Sequence, residues 1–243
     1  MTVQRKWAAG YLAAFAVMLI LNYASGSNVG NAADDNQSII QPAGFAFSIW
    51  GLIYILLLIW IIRLFFQKDW ENTAAYRLKY WPINNFLLNG IWILVFTQQL
   101  VLLSVIVIFA LLITLIIMHM LISKTDYHWF DRLPLSIYFA WVTLASIVNV
   151  FALTNSNNVE GFLGMTELTW TIIMLAAAAL IGVITAMYFK DWLYPLVLIW
   201  PFFGIYTENN SDYMSLDITL LAASIALIAV SLAVLINKKK NSV

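Results

Sequence analysis

The sequence predicts an all-α integral membrane protein with eight transmembrane helices. Apolar residues make up 63% of the 243 residues and charged residues only 10%, which lies outside the range of soluble domains. Long apolar runs alternate with short polar segments, and a membrane helix needs roughly 20 apolar residues to cross about 30 Å of hydrocarbon. The absence of cysteine excludes disulfides, thiolate metal sites and cysteine catalysis.

The N-terminal part of the chain contains the first two predicted spans. The first, Trp7–Tyr23, follows the basic residues Arg5 and Lys6, and the small residues after it leave a cleaved signal peptide as an alternative. The polar segment Asn28–Gln41 then predicts a loop. The second span is Gly44–Ile62.

The next apolar stretch, Phe86–Leu121, is too long for one span. At 1.5 Å per residue it would form about 54 Å of helix, which no ordinary tilt accommodates. Gln98 and Gln99 are the polar interruption that suits a headgroup region. The stretch therefore predicts two spans, Tyr80–Thr97 and Leu100–Ile122.

Four further spans complete the count. They are Ser136–Asn155, Met165–Tyr188, Trp192–Tyr206 and Ser215–Ile236. The seventh of the eight spans, Trp192–Tyr206, is short and contains Pro195 and Pro201, so a re-entrant segment is an alternative. Eight crossings place all 12 Lys and Arg residues on one side, whereas a re-entrant segment would move Lys238–Lys240 to the other. Because retained loops are rich in Lys and Arg, we expect eight spans with both termini cytoplasmic.

The predicted membrane interior lacks the groups that common membrane chemistries need. No Lys, Arg, Asp or Glu lies in the middle of a predicted span, which disfavours an ion-coupled pump and excludes a retinal Schiff base. No nucleotide-binding loop or zinc-ligand pair is present. The two histidines, His119 and His128, suit structural or interfacial roles better than haem ligation. Small juxtamembrane groups of basic residues argue against nucleic-acid binding.

Aromatic and amide side chains instead recur at helical spacing in three predicted spans. At about 100° per residue, one stripe covers an arc of about 80° and contains Tyr138, Trp141, Ala145 and Asn149. The other two contain Phe47, Trp50 and Tyr54, and Asn85, Asn89, Trp92 and Phe96. An amide facing lipid is unfavourable unless another helix bonds it, so these stripes should face a bundle interior. The alternative is that asparagines only join helices and tryptophans anchor the interface, which suits Trp60 well.

The order of these motifs resembles the TspO/MBR family, the translocator and tryptophan-rich sensory proteins. The matching residues are Gln41-Pro42, then Trp50-Gly51-Leu52-Ile53-Tyr54, then Leu88-Asn89-Gly90-Ile91-Trp92 with Phe96, and last Tyr138-Phe139-Ala140-Trp141 with Ala145, Asn149 and Asn155. The resemblance implies a TspO-like five-helix bundle over residues 1–156 and a C-terminal extension of three more membrane helices over 157–243. Before the second span the family usually has a double proline followed by tryptophan. This chain has Gln41-Pro42 and Gly44-Phe45 instead, so the resemblance does not extend to the tryptophan-bearing loop of the family.

The resemblance implies a sensor or translocator with an aromatic-lined pocket between helices. The implied ligand is a tetrapyrrole of the porphyrin or haem-precursor type, or a sterol-like molecule, and no cofactor is required. Aromatic faces with a few polar groups suit such large flat molecules on physical grounds as well. Asn89 and Asn149 either supply those polar groups or only lock the helices together. The implied ligand contacts are Trp50, Tyr54, Asn89, Trp92, Phe96, Tyr138, Trp141, Ala145 and Asn149.

Two other functions stay open. Pro195 and Pro201 suit a transporter, channel or scaffold for an unrelated solute, formed with the extension. The resemblance also allows porphyrin degradation, although the sequence supplies no base, nucleophile or metal site for conventional catalysis, which favours a non-enzymatic role. Expected partners are membrane lipid, a hydrophobic small molecule and, by resemblance, a second copy of the chain. We expect the bacterial cytoplasmic membrane as the location.

Overall fold

Helices form the regular structure of the protein. The computed structural model describes residues 3–34, 37–67, 71, 73–123, 128–157 and 164–240, with side chains described except at 26–34 and 239. Within these residues no β-strand forms. The helices are α1 (Val3–Asp34), α2 (Ile49–Phe66), α3 (Ala74–Leu78), α4 (Trp81–Thr97), α5 (Val101–Ile122), α6 (Trp129–Ser156), α7 (Glu167–Phe189), α8 (Leu193–Asn209) and α9 (Met214–Lys240). A short 3-10 helix, Gly44–Ser48, precedes α2.

Six of the helices described are long and apolar enough to cross a bilayer. They are α1, α2 together with its preceding 3-10 turn, α5, α6, α7 and α9. The all-α membrane class is therefore confirmed. Helices α4 and α8 have 17 residues each, or about 26 Å, slightly less than a full crossing. The predicted total of eight spans stays a prediction.

Two helix boundaries differ most from those predicted. Helix α1 continues to Asp34, so the loop predicted from Asn28 begins later. No proline interrupts this part of the chain before Pro42, and its small residues are tolerated in a helix. Helix α6 begins at Trp129 rather than Ser136. Its first turns contain charged residues that suggested a loop, but those charges have partners inside the protein and need not face water.

Helix packing divides the chain into two compact units. The first unit contains residues 1–35 and 50–139, and the second contains 36–49 and 140–243. In the first unit α1 packs closely on α4, and α4 packs on α5. Gly90 permits the α1–α4 approach, because an added Cβ would lie 2.7 Å from Leu21 Cδ1. The domain boundary expected after residue 156 follows the family resemblance rather than packing, and it stays a prediction.

The second unit is built on α7, α8 and α9, which pack on one another. Hydrogen bonds from the main chain of segment 37–48 fix it to two of these helices. The amide of Ile39 donates to the Glu167 carboxylate at 2.7 Å, and its carbonyl accepts from Asn209 at 2.9 Å. The amide of Ala43 donates to the carbonyl of Gly204 at 3.1 Å. Helices α7 and α8 thus hold the residues that lead into α2.

Candidate ligand-binding site

Five aromatic side chains of the first unit form a cluster around Trp50, called here the aromatic cluster. The ring centroid of Trp50 lies 5.6 Å from Tyr54, 5.9 Å from Trp92 and 5.8 Å from Tyr138. Phe96 stacks on Trp92 with a centroid distance of 5.6 Å. Helices α2, α4 and α6 therefore contribute rings to one place. Six of the nine predicted ligand contacts, these five and Asn89, belong to the first unit.

The helical spacing of the sequence explains how two pairs of these rings meet. Trp50 and Tyr54 are four residues apart on α2, and Trp92 and Phe96 are four apart on α4. Side chains at this spacing lie on the same helix face and contact each other. Both pairs are stacked, with interplanar angles of 29° and 24°.

The rings of the aromatic cluster differ in burial. Trp92 and Tyr138 are buried, whereas Trp50, Tyr54 and Phe96 are half-buried. The half-buried rings keep part of their surface accessible beside a buried interior. Aromatic rings give large apolar contact area and favour offset or edge-on packing with other flat groups.

A chain of hydrogen-bonded side chains, called here the polar chain, connects two tyrosines of the cluster. Tyr54 bonds to Asn22 Oδ1 at 2.9 Å, Asn22 Nδ2 bonds to Asn89 Oδ1 at 2.9 Å, and Asn89 Nδ2 bonds to the Tyr138 hydroxyl at 2.9 Å. These residues come from α1, α2, α4 and α6. Asn89 is fully buried, and its amide has partners at both ends. This geometry ties helices together, and a direct ligand contact by Asn89 stays a prediction.

Three of the predicted ligand contacts belong to the second unit. Trp141, Ala145 and Asn149 occupy one face of α6 at successive turns. Trp141 and Asn149 are buried, and Ala145 is half-buried. Trp141 packs edge-on against Phe47 with a centroid distance of 5.7 Å. Their contact with a ligand stays a prediction.

Asn22 is a site residue that the sequence analysis did not identify. It lies on α1, one turn after Met18, whose carbonyl accepts a hydrogen bond from its amide at 2.8 Å. The available signal was an asparagine near the end of an otherwise apolar span. Its partners lie 32 and 67 residues away in the sequence, so spacing alone could not reveal them.

A second buried polar group lies at the start of α6. The carboxylate of Asp131 accepts hydrogen bonds from the Trp60 indole at 3.1 Å and from Arg63 at 3.4 Å. The Arg63 guanidinium also lies 5.1 Å from the centroid of the Phe130 ring. Trp60 is only 1% exposed, so its expected role as an interfacial anchor is wrong. It is a buried donor to a carboxylate that α6 brings into the protein.

His119 and Arg132 form a neighbouring buried contact between α5 and α6. Arg132 lies 3.3 Å from His119 Nε2, and both side chains are buried. A guanidinium can only donate, so this ring nitrogen is the acceptor. The contact agrees with a structural role for His119. Among the residues that the structure describes, no group of three or more His, Asp or Glu could hold a metal ion.

The sequence matches a known protein family. The family described as TSPO-like protein matches residues 7–235. This range contains the helices that carry the aromatic cluster and also the C-terminal helices α7 and α8 and most of α9. No curated protein and no solved structure matches the chain. Because the match covers nearly the whole sequence, the chain belongs to the TSPO-like family.

Proposed function

We propose that this protein is a membrane receptor or translocator that binds large planar, mainly apolar molecules at the aromatic cluster. The observation that carries the proposal is the environment of Trp50, which has three ring neighbours within 6 Å and is still half-buried. A flat ligand stacked on this surface would gain aromatic contact on its face and apolar burial around its rim.

Tetrapyrroles of the porphyrin and haem-precursor type are the ligand class that we favour, with sterols as the second. Both are large, rigid and mostly apolar, and membership of the TSPO-like family supports the same class. The ligand is cargo or signal rather than a resident cofactor. Trp141, Ala145 and Asn149 are proposed as additional contacts on the basis of their place in the family motif.

We further propose that the chain crosses the bilayer eight times, with both termini in the bacterial cytoplasm. Helices α4 and α8 are the two shortest crossings in this arrangement. The distribution of all 12 Lys and Arg residues supports it, because eight crossings keep them on one side. A homodimer is proposed from the family resemblance alone.

A titration of the full-length protein in detergent tests the proposed ligand class. We expect protoporphyrin IX to bind saturably, with a shifted porphyrin absorbance band and quenched tryptophan fluorescence. Trp50→Ala should weaken the affinity about tenfold or more, because it removes the central ring of the cluster. A parallel titration with cholesterol measures the affinity for a sterol, the second proposed ligand class.

Trp129→Ala is the matched control for this titration. Trp129 lies at the start of α6 and is 63% exposed, so its removal should leave porphyrin affinity within about twofold of the wild type. Non-saturable binding, or equal affinities in Trp50→Ala and wild type, would contradict a porphyrin site at the aromatic cluster.

A further inference from the structure

The hydrogen bonds of the polar chain run in one direction, and a main-chain carbonyl sets that direction. The Met18 carbonyl can only accept, and it lies 2.8 Å from one end of the Asn22 amide. That end must therefore be the nitrogen, which places Asn22 Oδ1 toward Tyr54. An amide oxygen can only accept, so the Tyr54 hydroxyl donates its hydrogen here.

The same reasoning fixes the next amide along the chain. Asn22 Nδ2 also lies 2.9 Å from Asn89, and an amide nitrogen needs an oxygen opposite it. Asn89 therefore presents Oδ1 to Asn22 and Nδ2 to Tyr138. The orientation of both amides therefore follows from the Met18 carbonyl, which can only accept a hydrogen bond.

This direction decides what the Tyr138 hydroxyl can do. It accepts from Asn89 Nδ2 at 2.9 Å, so its own hydrogen is available to a different partner. Within the described part of the chain, that hydrogen meets no acceptor, and Tyr138 is 0% exposed. A buried donor without an acceptor is unfavourable. A bound molecule that supplies an acceptor would remove this penalty.

We propose that the Tyr138 hydroxyl donates a hydrogen bond to an acceptor oxygen on the bound molecule. The aromatic cluster would then select flat apolar molecules that carry a carbonyl or carboxylate over pure hydrocarbons of the same shape. This inference rests on the proposed function and names the chemistry by which the site selects its ligand. Tyr138 is the residue that gives this selectivity.

The neighbours of Tyr138 indicate how a ligand reaches it. The Trp50 ring stands edge-on to Tyr138 at 5.8 Å, with an interplanar angle of 71°, and is half-buried. Because Tyr138 is fully covered, a neighbouring side chain must move to admit a ligand, and Trp50 is a half-buried ring beside it. Both hydrogens of the Asn22 amide already have acceptors, and Asn89 Nδ2 donates one of its two hydrogens to Tyr138. The Tyr138 hydroxyl hydrogen is therefore one of two donors open to a ligand here, beside the second hydrogen of Asn89, and Tyr138→Phe separates the two.

Two probes with the same ring skeleton, fluorene and 9-fluorenone, test this selectivity. They differ by one carbonyl, and fluorenone can accept but cannot donate. In the full-length protein we expect fluorenone to bind about tenfold more tightly, the ratio that a net hydrogen bond of about 1.4 kcal/mol produces. Tyr138→Phe should reduce this ratio to about one and leave fluorene affinity within about twofold.

The infrared carbonyl stretch of bound fluorenone provides a readout that a purely structural hydroxyl would not change. In wild type the stretch should lie at lower frequency than in a hydrocarbon solvent, and in Tyr138→Phe it should return to the hydrocarbon value. The wild-type spectrum tests the proposal even if the variant does not fold.

Tyr194→Phe is the matched control. It removes another buried tyrosine hydroxyl, in the second unit, where Tyr194 bonds to Thr143 at 2.7 Å. We expect the wild-type ratio and carbonyl frequency in this variant. Equal affinities for the two probes with an unshifted stretch would overturn the role of Tyr138 and leave the proposed function standing. If neither probe binds saturably, both proposals are wrong.

Discussion

Asp131 lies buried at the start of α6, where its carboxylate accepts from the Trp60 indole and the Arg63 guanidinium. Removing water from a carboxylate is unfavourable unless hydrogen bonds and an opposite charge compensate. Both kinds of compensation come from α2. The contact therefore joins α2 to α6 within the first unit, and each partner depends on the carboxylate.

Replacing Asp131 should weaken the fold. We expect Asp131→Ala to lower the free energy of unfolding by about 2–3 kcal/mol, since it leaves the buried Trp60 N–H without its acceptor. Asp131→Asn keeps an acceptor oxygen and should lose about half as much. Thermal unfolding of the purified wild type and both variants in the same detergent measures this order of stability. An Asp131→Ala protein as stable as the wild type would show that the contact contributes nothing.

At the residue scale, contacts between residues close in the sequence can be predicted from spacing, and contacts between distant residues cannot. The pairs Trp50 with Tyr54 and Trp92 with Phe96 are one helical turn apart, so spacing predicted their shared faces. Trp60 and Asp131 are 71 residues apart, and hydropathy cannot predict a hydrogen-bond partner at that separation. Hydropathy therefore suggested an interfacial position for a tryptophan that is buried.

Gly204 marks the place where α8 meets segment 37–48 in the second unit. A Cβ added to it would lie 2.8 Å from the Cβ of Pro42 and 2.9 Å from the Cβ of Ala46. Neither atom can move by a side-chain rotation. The absence of a side chain at this position lets the segment approach the helix closely enough for Ala43 to bond to the Gly204 carbonyl.

A methyl group at this position should detach the segment from α8. We expect Gly204→Ala to speed hydrogen exchange of amides in segment 37–48 about tenfold and to destabilise the protein by about 1–3 kcal/mol. Gly51→Ala, on α2, is the control because no atom lies within 4 Å of the added Cβ. Unchanged exchange in Gly204→Ala would mean that the segment is held by other contacts.

At the element scale, hydropathy located the helices better than it located their ends. A polar segment indicated a loop from Asn28, yet α1 runs to Asp34, because polarity alone does not stop a helix that lacks proline. The attachment of segment 37–48 to α7 and α8 depends on hydrogen bonds from its main chain to the Glu167 and Asn209 side chains and to the Gly204 carbonyl, and residue patterns do not predict such main-chain contacts.

The whole chain is free of cysteine, so its topology can be mapped with single introduced thiols. With eight crossings, Gln98→Cys and Met214→Cys should react with an impermeant maleimide in intact cells, whereas Tyr76→Cys and Asn237→Cys should react only after permeabilisation. All four positions are exposed. The alternation follows from the predicted position of basic residues on the cytoplasmic side. Labelling of Asn237→Cys in intact cells would contradict eight crossings and favour a re-entrant α8.

Helices α4 and α8 are only 17 residues long, so the thickness of the surrounding lipid affects how well they match the bilayer. In the proposed arrangement of eight crossings, each falls about 4 Å short of an average hydrocarbon layer, and mismatch costs fractions of a kcal/mol per Å. Lipids with shorter acyl chains relieve that cost, and thicker membranes increase it. Since α4 carries Asn89 and Trp92, acyl-chain length would act on the helix that orients them.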